Sequence, residues 1–146
     1  MGYIAPEDCV YGINLFERLE VNSKPISLSK GPDSAEVLRS IKRNIDNILN
    51  TRIGESLSSP NLGLVDFNDA SLAMVDLSIK VMLSIKHCLE KFEPRLKEID
   101  VCILHDDNQS VTLRFGVSAV IDTSTIHEKV NINLLLDSNK KYRVVN

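Results

Sequence analysis

Residues 85–103 read IKHCLEKFEPRLKEIDVCI, and the spacing of the apolar residues changes at Pro94. Before the proline, apolar residues recur three and four positions apart, as on one face of a helix: Val81, Met82, Ile85, Cys88, Leu89 and Phe92. After it, Ile99, Val101 and Ile103 alternate with other residues, which is typical of a half-buried strand. Because the residue before a proline avoids the α region, we expect the helix to end at Glu93. The stretch therefore predicts a helix followed directly by a strand.

A second helix is predicted upstream of this junction. Its apolar residues are again three and four positions apart: Leu38, Ile41, Ile45 and Ile48. Asp33 followed by Glu36 resembles a capping box, which predicts the start of the helix. The helix is expected to end within residues 50–54, where Gly54 can adopt the left-handed conformation. The glycines, serines and proline of residues 54–69 then predict an ordered loop.

Alternating patterns dominate the remainder of the chain. They recur over residues 111–117 and 130–136, and residues 142–145 have the composition of a short return strand. Residues 105–109, HDDNQ, predict a turn. Helices followed by strands, without strand–helix repetition, predict an α+β fold. We expect two main helices packed on one face of a largely antiparallel, three- to four-stranded meander sheet, with a short N-terminal helical arm.

The N-terminal part is expected to be separate from this domain. Residues 13–20, INLFERLE, place Leu15, Phe16 and Leu19 on one side of a helix so short that it must dock to persist. Residues 21–32 mix Asn, Ser, Lys, Gly and two prolines, which favours a linker. We therefore divide the chain into an arm and linker, residues 1–32, and a domain, residues 33–146.

Composition excludes several classes of function. The chain has 146 residues and a net charge of −3, which opposes binding to nucleic acid. No apolar run approaches the roughly 20 residues that span a bilayer, so we expect no direct membrane insertion. The start of the sequence lacks the features of a signal peptide, which favours the cytoplasm. The three cysteines and three histidines lack the spacings of metal sites, so no metal and no cofactor are expected.

Glu93, Pro94 and Arg95 form the most individual motif. On extended backbone the side chains of Glu93 and Arg95 project to the same side, and we expect them to form one polar patch at the surface. A surface ion pair contributes only about 0–1 kcal/mol to stability, so a structural role alone explains the combination poorly. The planar guanidinium holds carboxylates or backbone carbonyls in fixed geometry. The motif therefore predicts a binding role.

FEPRLKEIDV resembles the Glu-Pro-Arg signature of the lysozyme-like baseplate wedge family, which is found in contractile phage tails and in the baseplates of type VI secretion systems. Residues 40–67 are similar to that family's first long helix, its Leu-Asn-Thr-Arg helix end and its Pro-x-x-Gly-Leu loop. INLFERLE resembles the short N-terminal segment of secretion-system members. The resemblance covers most of residues 13–136.

The resemblance implies a structural, non-enzymatic subunit of a type VI secretion baseplate, in the bacterial cytoplasm and docked at the inner membrane. It would join the wedge complex to the first ring of the contractile sheath. Glu93, Pro94 and Arg95 carry over as contacts with other wedge subunits. The helix end and loop that shape the domain carry over as Leu49, Asn50, Thr51, Arg52 and Gly63. The alternatives are a phage-tail wedge protein and an adaptor or anti-adaptor of the same domain type that binds a regulator.

The family name raises the question of lysozyme activity. Glycoside hydrolysis needs two carboxylates on either side of a sugar-sized cleft. None of Glu55, Asp66, Asp69 and Glu93 has a sequence context that sets one acid in an apolar pocket beside an ionised neighbour. The chain has no tryptophan and 5% aromatic residues, which leaves few surfaces for stacking sugars. We therefore expect no catalytic residues.

The predicted meander leaves a strand edge unpaired unless the sheet closes into a barrel. Strand addition at such an edge joins proteins through main-chain hydrogen bonds. We expect strands 130–136 and 142–145 to receive or exchange strands with the first sheath ring, with contacts at Val130, Ile132, Leu134, Tyr142 and Val144. The alternative is that Lys140, Lys141 and Arg143 protect this edge and keep it monomeric.

Overall fold

A computed structural model describes residues 12–22, 32–64, 74–104 and 112–145. The elements are α1 (Leu15–Arg18), α2 (Ser34–Asn50), α3 (Met74–Phe92), β1 (Leu96–Leu104), β2 (Leu113–Asp122), β3 (His127–Leu136) and β4 (Tyr142–Val145). Two long helices followed by four strands confirm the predicted α+β class. The predicted turn at 105–109, the end of the predicted loop (65–69) and residues 1–11 and 23–31 of the predicted arm and linker lie outside the described residues.

The two long helices follow the apolar spacing. α2 ends at Asn50, within the predicted interval, and buries Val37, Ile41, Ile45 and Ile48. Asp33 occupies the N-cap position, but its side chain makes no capping hydrogen bond, so the predicted capping box is not formed. α3 ends at Phe92, and Glu93 is the first residue outside it, as Pro94 requires.

The four strands form an antiparallel meander with the order β1-β2-β3-β4. Pairs such as Phe115↔Leu134 and Val117↔Ile132 bring alternate side chains of β2 and β3 into one buried face. α3 packs against β1, and α2 packs against β4, so both helices cover that face. β1 and β4 lie at opposite edges, and the sheet therefore stays open rather than closing into a barrel.

β4 is much shorter than its neighbour β3. β3 pairs with β2 over its whole length, from His127 to Leu136. Within the described residues, which end at Val145, β4 pairs with β3 at Asn133–Leu136. The first six residues of β3 thus extend beyond the end of β4. None of the helices in the described ranges is long and apolar enough to cross a membrane.

Candidate functional site

Glu93 and Arg95 form an ion pair inside the protein. Their residues are 0% and 5% exposed. Arg95 donates from Nε to Glu93 Oε1 at 2.7 Å and from Nη2 to Oε2 at 2.8 Å, so the guanidinium and carboxylate face each other in a two-bond arrangement. The prediction that these side chains form a surface patch is therefore wrong. Of the three motif residues only Pro94 is exposed.

The pair is buried because α2 supplies polar partners for it. Asn44 donates from Nδ2 to Glu93 Oε2 at 2.7 Å, and Ser40 Oγ accepts from Arg95 Nη1 at 2.8 Å. Ser40 and Asn44 are one helical turn apart, on the side of α2 that carries its buried apolar residues. Buried charges persist when their hydrogen bonds are satisfied in this way. In the sequence, Ser40 and Asn44 are polar residues on an otherwise apolar helix face, and this pattern could have indicated a buried polar partner.

Arg95 also binds the N-terminal arm. Its Nη1 donates to the backbone carbonyl of Gly12 at 2.9 Å. Gly12 is buried, and a Cβ at this position would lie 2.7 Å from Val37 Cγ2 and 2.9 Å from Pro32 Cγ. Separations under about 3 Å are not tolerated, since the core is packed like a crystal. The arm can therefore lie here only because residue 12 is glycine.

α1 docks on α2 by charge. Arg43 lies 3.5 Å from Glu17 and 3.2 Å from Glu20. Ile13, just before α1, packs against the core. The apolar side chains of α1 and of the residue that ends it face solvent: Leu15, Phe16 and Leu19 are 55%, 79% and 69% exposed. The arm docks, as a helix of four residues must, through Ile13 and through the charged side of α1.

At the C-terminal end of α2, Asn50 is joined to the sheet. Its Nδ2 donates to the carbonyl of Tyr142 at 2.9 Å, and its Oδ1 accepts from the Tyr142 N–H at 3.0 Å. The same Nδ2 donates to Asp46 O at 2.8 Å. The side-chain amide thus pairs with both backbone groups of one β4 residue, as a neighbouring strand would.

The loop after α2 folds back on the helix end. The Thr51 carbonyl accepts from Leu64 N at 3.0 Å, and Arg52 forms an isolated parallel bridge with Leu64. Gly63 has φ +103°, and a Cβ there would lie 2.0 Å from Thr51 O. Leu49 is 2% exposed, in the core beneath this loop. The five residues carried over from the family resemblance therefore lie together in one helix end and loop.

The residues expected to contact the sheath do not present their side chains to a partner. Ile132, Leu134 and Tyr142 are 1%, 1% and 7% exposed, because they belong to the face of the sheet that α2 and α3 cover. Val130 and Val144 are partly buried against the same core. The prediction that these strands contact the sheath concerns their backbone hydrogen bonds and stays a prediction. A contact along these strands can use the edge backbone and the side chains of the opposite, exposed face, such as Asn131 and Arg143.

Residues 127–132 of β3 have no described partner strand on their β4 side. Because Tyr142 turns its N–H and C=O toward Asn50, alternation makes Arg143 and Val145 face β3, and Leu135 and Asn133 face β4. The same alternation turns the backbone groups of Asn131 and Lys129 toward the β4 side. Within the described parts of the chain, no strand pairs with them there. An unpaired run of this kind accepts an added strand.

The described residues offer little for catalysis. They contain no group of three or more His, Cys, Asp or Glu residues that could hold a metal ion. Both oxygens of Glu93 already accept hydrogen bonds from Arg95 and Asn44. Burial raises the pKa of the Cys88 thiol above its ordinary value, which disfavours the nucleophilic thiolate.

Residues 35–125, more than half of the chain, match the family described as "Baseplate wedge protein gp25". The chain belongs to this baseplate wedge family. Two solved structures are similar to it at 20% identity. One, described as "The baseplate complex from the type VI secretion system", has a TM-score of 0.52 and covers 77% of this chain and 96% of its own. The other, from Geobacter sulfurreducens and named as a tail lysozyme, has a TM-score of 0.54 and covers 73% and 96%.

These two similarities show that the baseplate wedge chain shares its fold with both proteins. Their identity is too low to carry over activity or partners. No curated protein matches the chain.

Proposed function

We propose that this baseplate wedge chain is a structural subunit of a type VI secretion baseplate, which joins the wedge to the first ring of the contractile sheath. Membership of the wedge family supports a role in assembly, and the resemblance of INLFERLE, residues 13–20, to the N-terminal segment of secretion-system members favours the secretion system over a phage tail. The protein acts in the bacterial cytoplasm, in a baseplate docked at the inner membrane. Its partners are wedge and sheath subunits.

The observation that carries the sheath contact is the length of β3 beyond β4. An incoming strand can lie beside residues 127–132, in line with β4, and bond to the backbone of Lys129 and Asn131. Strand addition gives affinity through the main chain, so the two proteins need little side-chain complementarity. The exposed side chains of Lys140, Lys141 and Arg143 belong to the turn and to β4, not to this open part of β3.

A proline at position 131 tests this contact. Asn131→Pro removes an outward N–H that β2 does not use, whereas Asn131→Ala keeps it. Both variants lose the hydrogen bond between Ser118 and the Asn131 side chain, which makes them a matched pair. We expect Asn131→Pro to lose sheath polymerisation on assembled wedges and Asn131→Ala to retain it. Equal polymerisation by the two variants would contradict strand addition at this edge.

Co-purification tests the wider proposal. The chain co-expressed with wedge and sheath subunits is expected to be recovered with both. Recovery with a lone regulator would instead support the adaptor alternative, and recovery with phage-tail wedge proteins alone would support the phage alternative. Incubation with peptidoglycan is expected to release no reducing sugars. Release that disappears in Glu93→Gln would restore the lysozyme hypothesis.

A further inference from the structure

The arm, residues 12–22, is held in place at both its backbone and its charged side chains. The Gly12 carbonyl accepts from Arg95 at 2.9 Å, and Glu17 and Glu20 lie within salt-bridge distance of Arg43. Each contact comes from the domain. α1 is a single turn, and so short a helix is unstable by itself in water. Ile13, two residues before α1, also packs against the core. The orientation of α1 is therefore set by these contacts together.

The orientation of α1 is the reverse of that of an ordinary surface helix. A helix on a soluble domain turns its apolar side to the core and its charges to water. Here the Glu17 side chain is 17% exposed, whereas Phe16 is 79% and Leu19 is 69% exposed. Leu15 is also more than half exposed. The domain thus holds three large apolar side chains out in solvent by binding the polar side of the same turn.

We propose that the Glu-Pro-Arg motif acts in wedge assembly as a clamp for the arm, and that Leu15, Phe16 and Leu19 insert into an apolar groove of another wedge subunit. This inference rests on the proposed function. Arg95 is then a positioning residue. Its guanidinium orients the arm from inside the domain. The arm, rather than the Glu-Pro-Arg motif, then makes the contact with the other wedge subunit.

The size of the apolar surface favours a wedge subunit over a second copy of this chain. Three such side chains bury on the order of 400 Å², about half of what each partner contributes to a stable pairwise interface. They suit one anchor within a larger, multi-subunit contact, as a wedge provides. The clamp favours binding because an arm already ordered loses less conformational entropy on association.

The variant Gly12→Leu distinguishes two hypotheses: that the motif acts through the arm, and that the motif contacts the wedge subunit directly. The added side chain clashes with Val37 and Pro32, so the arm is displaced, while Glu93 and Arg95 keep their chemistry. We expect Gly12→Leu to weaken capture of co-expressed wedge subunits by at least about tenfold. The triple change of Leu15, Phe16 and Leu19 to Ser should have the same effect. Leu57→Ser is the control, since Leu57 is 96% exposed outside the arm and should bind as wild type.

Two further measurements identify the clamp. Hydrogen exchange on the isolated chain should show loss of protection at the Arg18 and Leu19 amides in both Gly12→Leu and Arg95→Lys, because lysine lacks the guanidinium fork. Adding Arg95→Lys to Gly12→Leu should weaken wedge capture no further, since both act through the arm. Circular dichroism should show a folded domain in each variant.

Three different outcomes would contradict the clamp, the choice of partner or the proposed function. If Gly12→Leu binds wedge subunits like wild type while Arg95→Lys does not, the motif contacts the partner directly and there is no clamp. If the triple variant loses self-association rather than wedge binding, the occupant is a second copy. If the wild-type chain captures no wedge subunit, the proposed function itself fails.

Discussion

α2 is joined to the rest of the domain at two places by different chemistry. In its middle, Ser40 and Asn44 hold the buried Glu93–Arg95 ion pair. At its end, Asn50 pairs with the backbone of Tyr142. The first connection depends on charges removed from water, and each charge needs its partner. In the second, the neutral side-chain amide of Asn50 takes the place of one residue of a neighbouring strand. Loss of this amide therefore affects the hydrogen bonds of one residue, Tyr142. The two regions should therefore respond very differently to single substitutions.

The largest loss is expected where a charge is left alone in the core. Glu93→Ala leaves Arg95 buried without its counter-ion, and we expect a loss of about 3–5 kcal/mol in the free energy of unfolding. Urea denaturation measures it. Arg95→Ala should cost a similar amount, in contrast to the small loss that a surface pair predicts.

The double variant Glu93→Leu with Arg95→Met is the control for this effect. It removes both charges together, and it should lose clearly less than the sum of the two single losses. A loss below about 1 kcal/mol in Glu93→Ala would mean that the pair behaves as a surface ion pair.

The next effect distinguishes two glycines in the loop beside the Asn50 end of α2. Gly63→Ala brings a Cβ against Thr51 O at a positive φ, and we expect about 2–4 kcal/mol of destabilisation. Gly54 also has a positive φ, +91°, but nothing lies within 4 Å of its Cβ position. Gly54→Ala should therefore cost only about 1 kcal/mol. Equal melting temperatures for the two variants would contradict this packing.

Asn50 itself should have a smaller effect. Asn50→Ala leaves the outward N–H and C=O of Tyr142 without the amide, and we expect a loss of about 1–2 kcal/mol in the free energy of unfolding. Faster hydrogen exchange at the Tyr142 amide should accompany it. Asn50→Asp is the matched variant: its carboxylate can accept from the N–H but cannot donate to the carbonyl. Unchanged exchange in Asn50→Ala would show that β4 is held without α2.

The last prediction concerns ionisation of the Tyr142 hydroxyl, which does not change stability between neutral pH and about pH 9. Burial raises the pKa of Tyr142 to about 12, from an ordinary value near 10. Because the unfolded chain loses this proton first, the stabilising contribution is complete below pH 10 and is lost as the pH rises to about 12. Tyrosinate absorbance of wild type minus Tyr142→Phe should show the late titration. A midpoint near 10 would place the hydroxyl in solvent.

The sequence predicted the elements because they follow from spacing. Apolar periodicity located α2, α3 and the first three strands, composition indicated the short fourth strand, and Pro94 marked the junction between helix and strand. Spacing within one element does not reveal which distant groups meet, and the contact between Arg95 and Gly12 joins residues 83 positions apart. Ser40 and Asn44 were the available signal, since polar residues on an apolar helix face need buried partners.

The side chains that line β3 and β4 were predicted correctly as alternating, but alternation alone does not say which set faces a partner. α2 and α3 cover one face of the sheet, so the side chains on that face, including Ile132 and Leu134, belong to the core. The proposed strand addition would use the backbone of β3 beyond the described end of β4. That opening depends on the unequal lengths of two strands, which the spacing of apolar residues does not fix to the residue.

Asn50 also acts as a stop along the sheet edge. Its amide occupies the outward backbone groups of Tyr142, so a strand that adds to β4 finds that position taken and cannot slide past it. A shift of one residue would turn every side chain of the added strand to the opposite face. A single helix residue can thus fix the alignment of a neighbouring strand, because it blocks one position of the sheet edge.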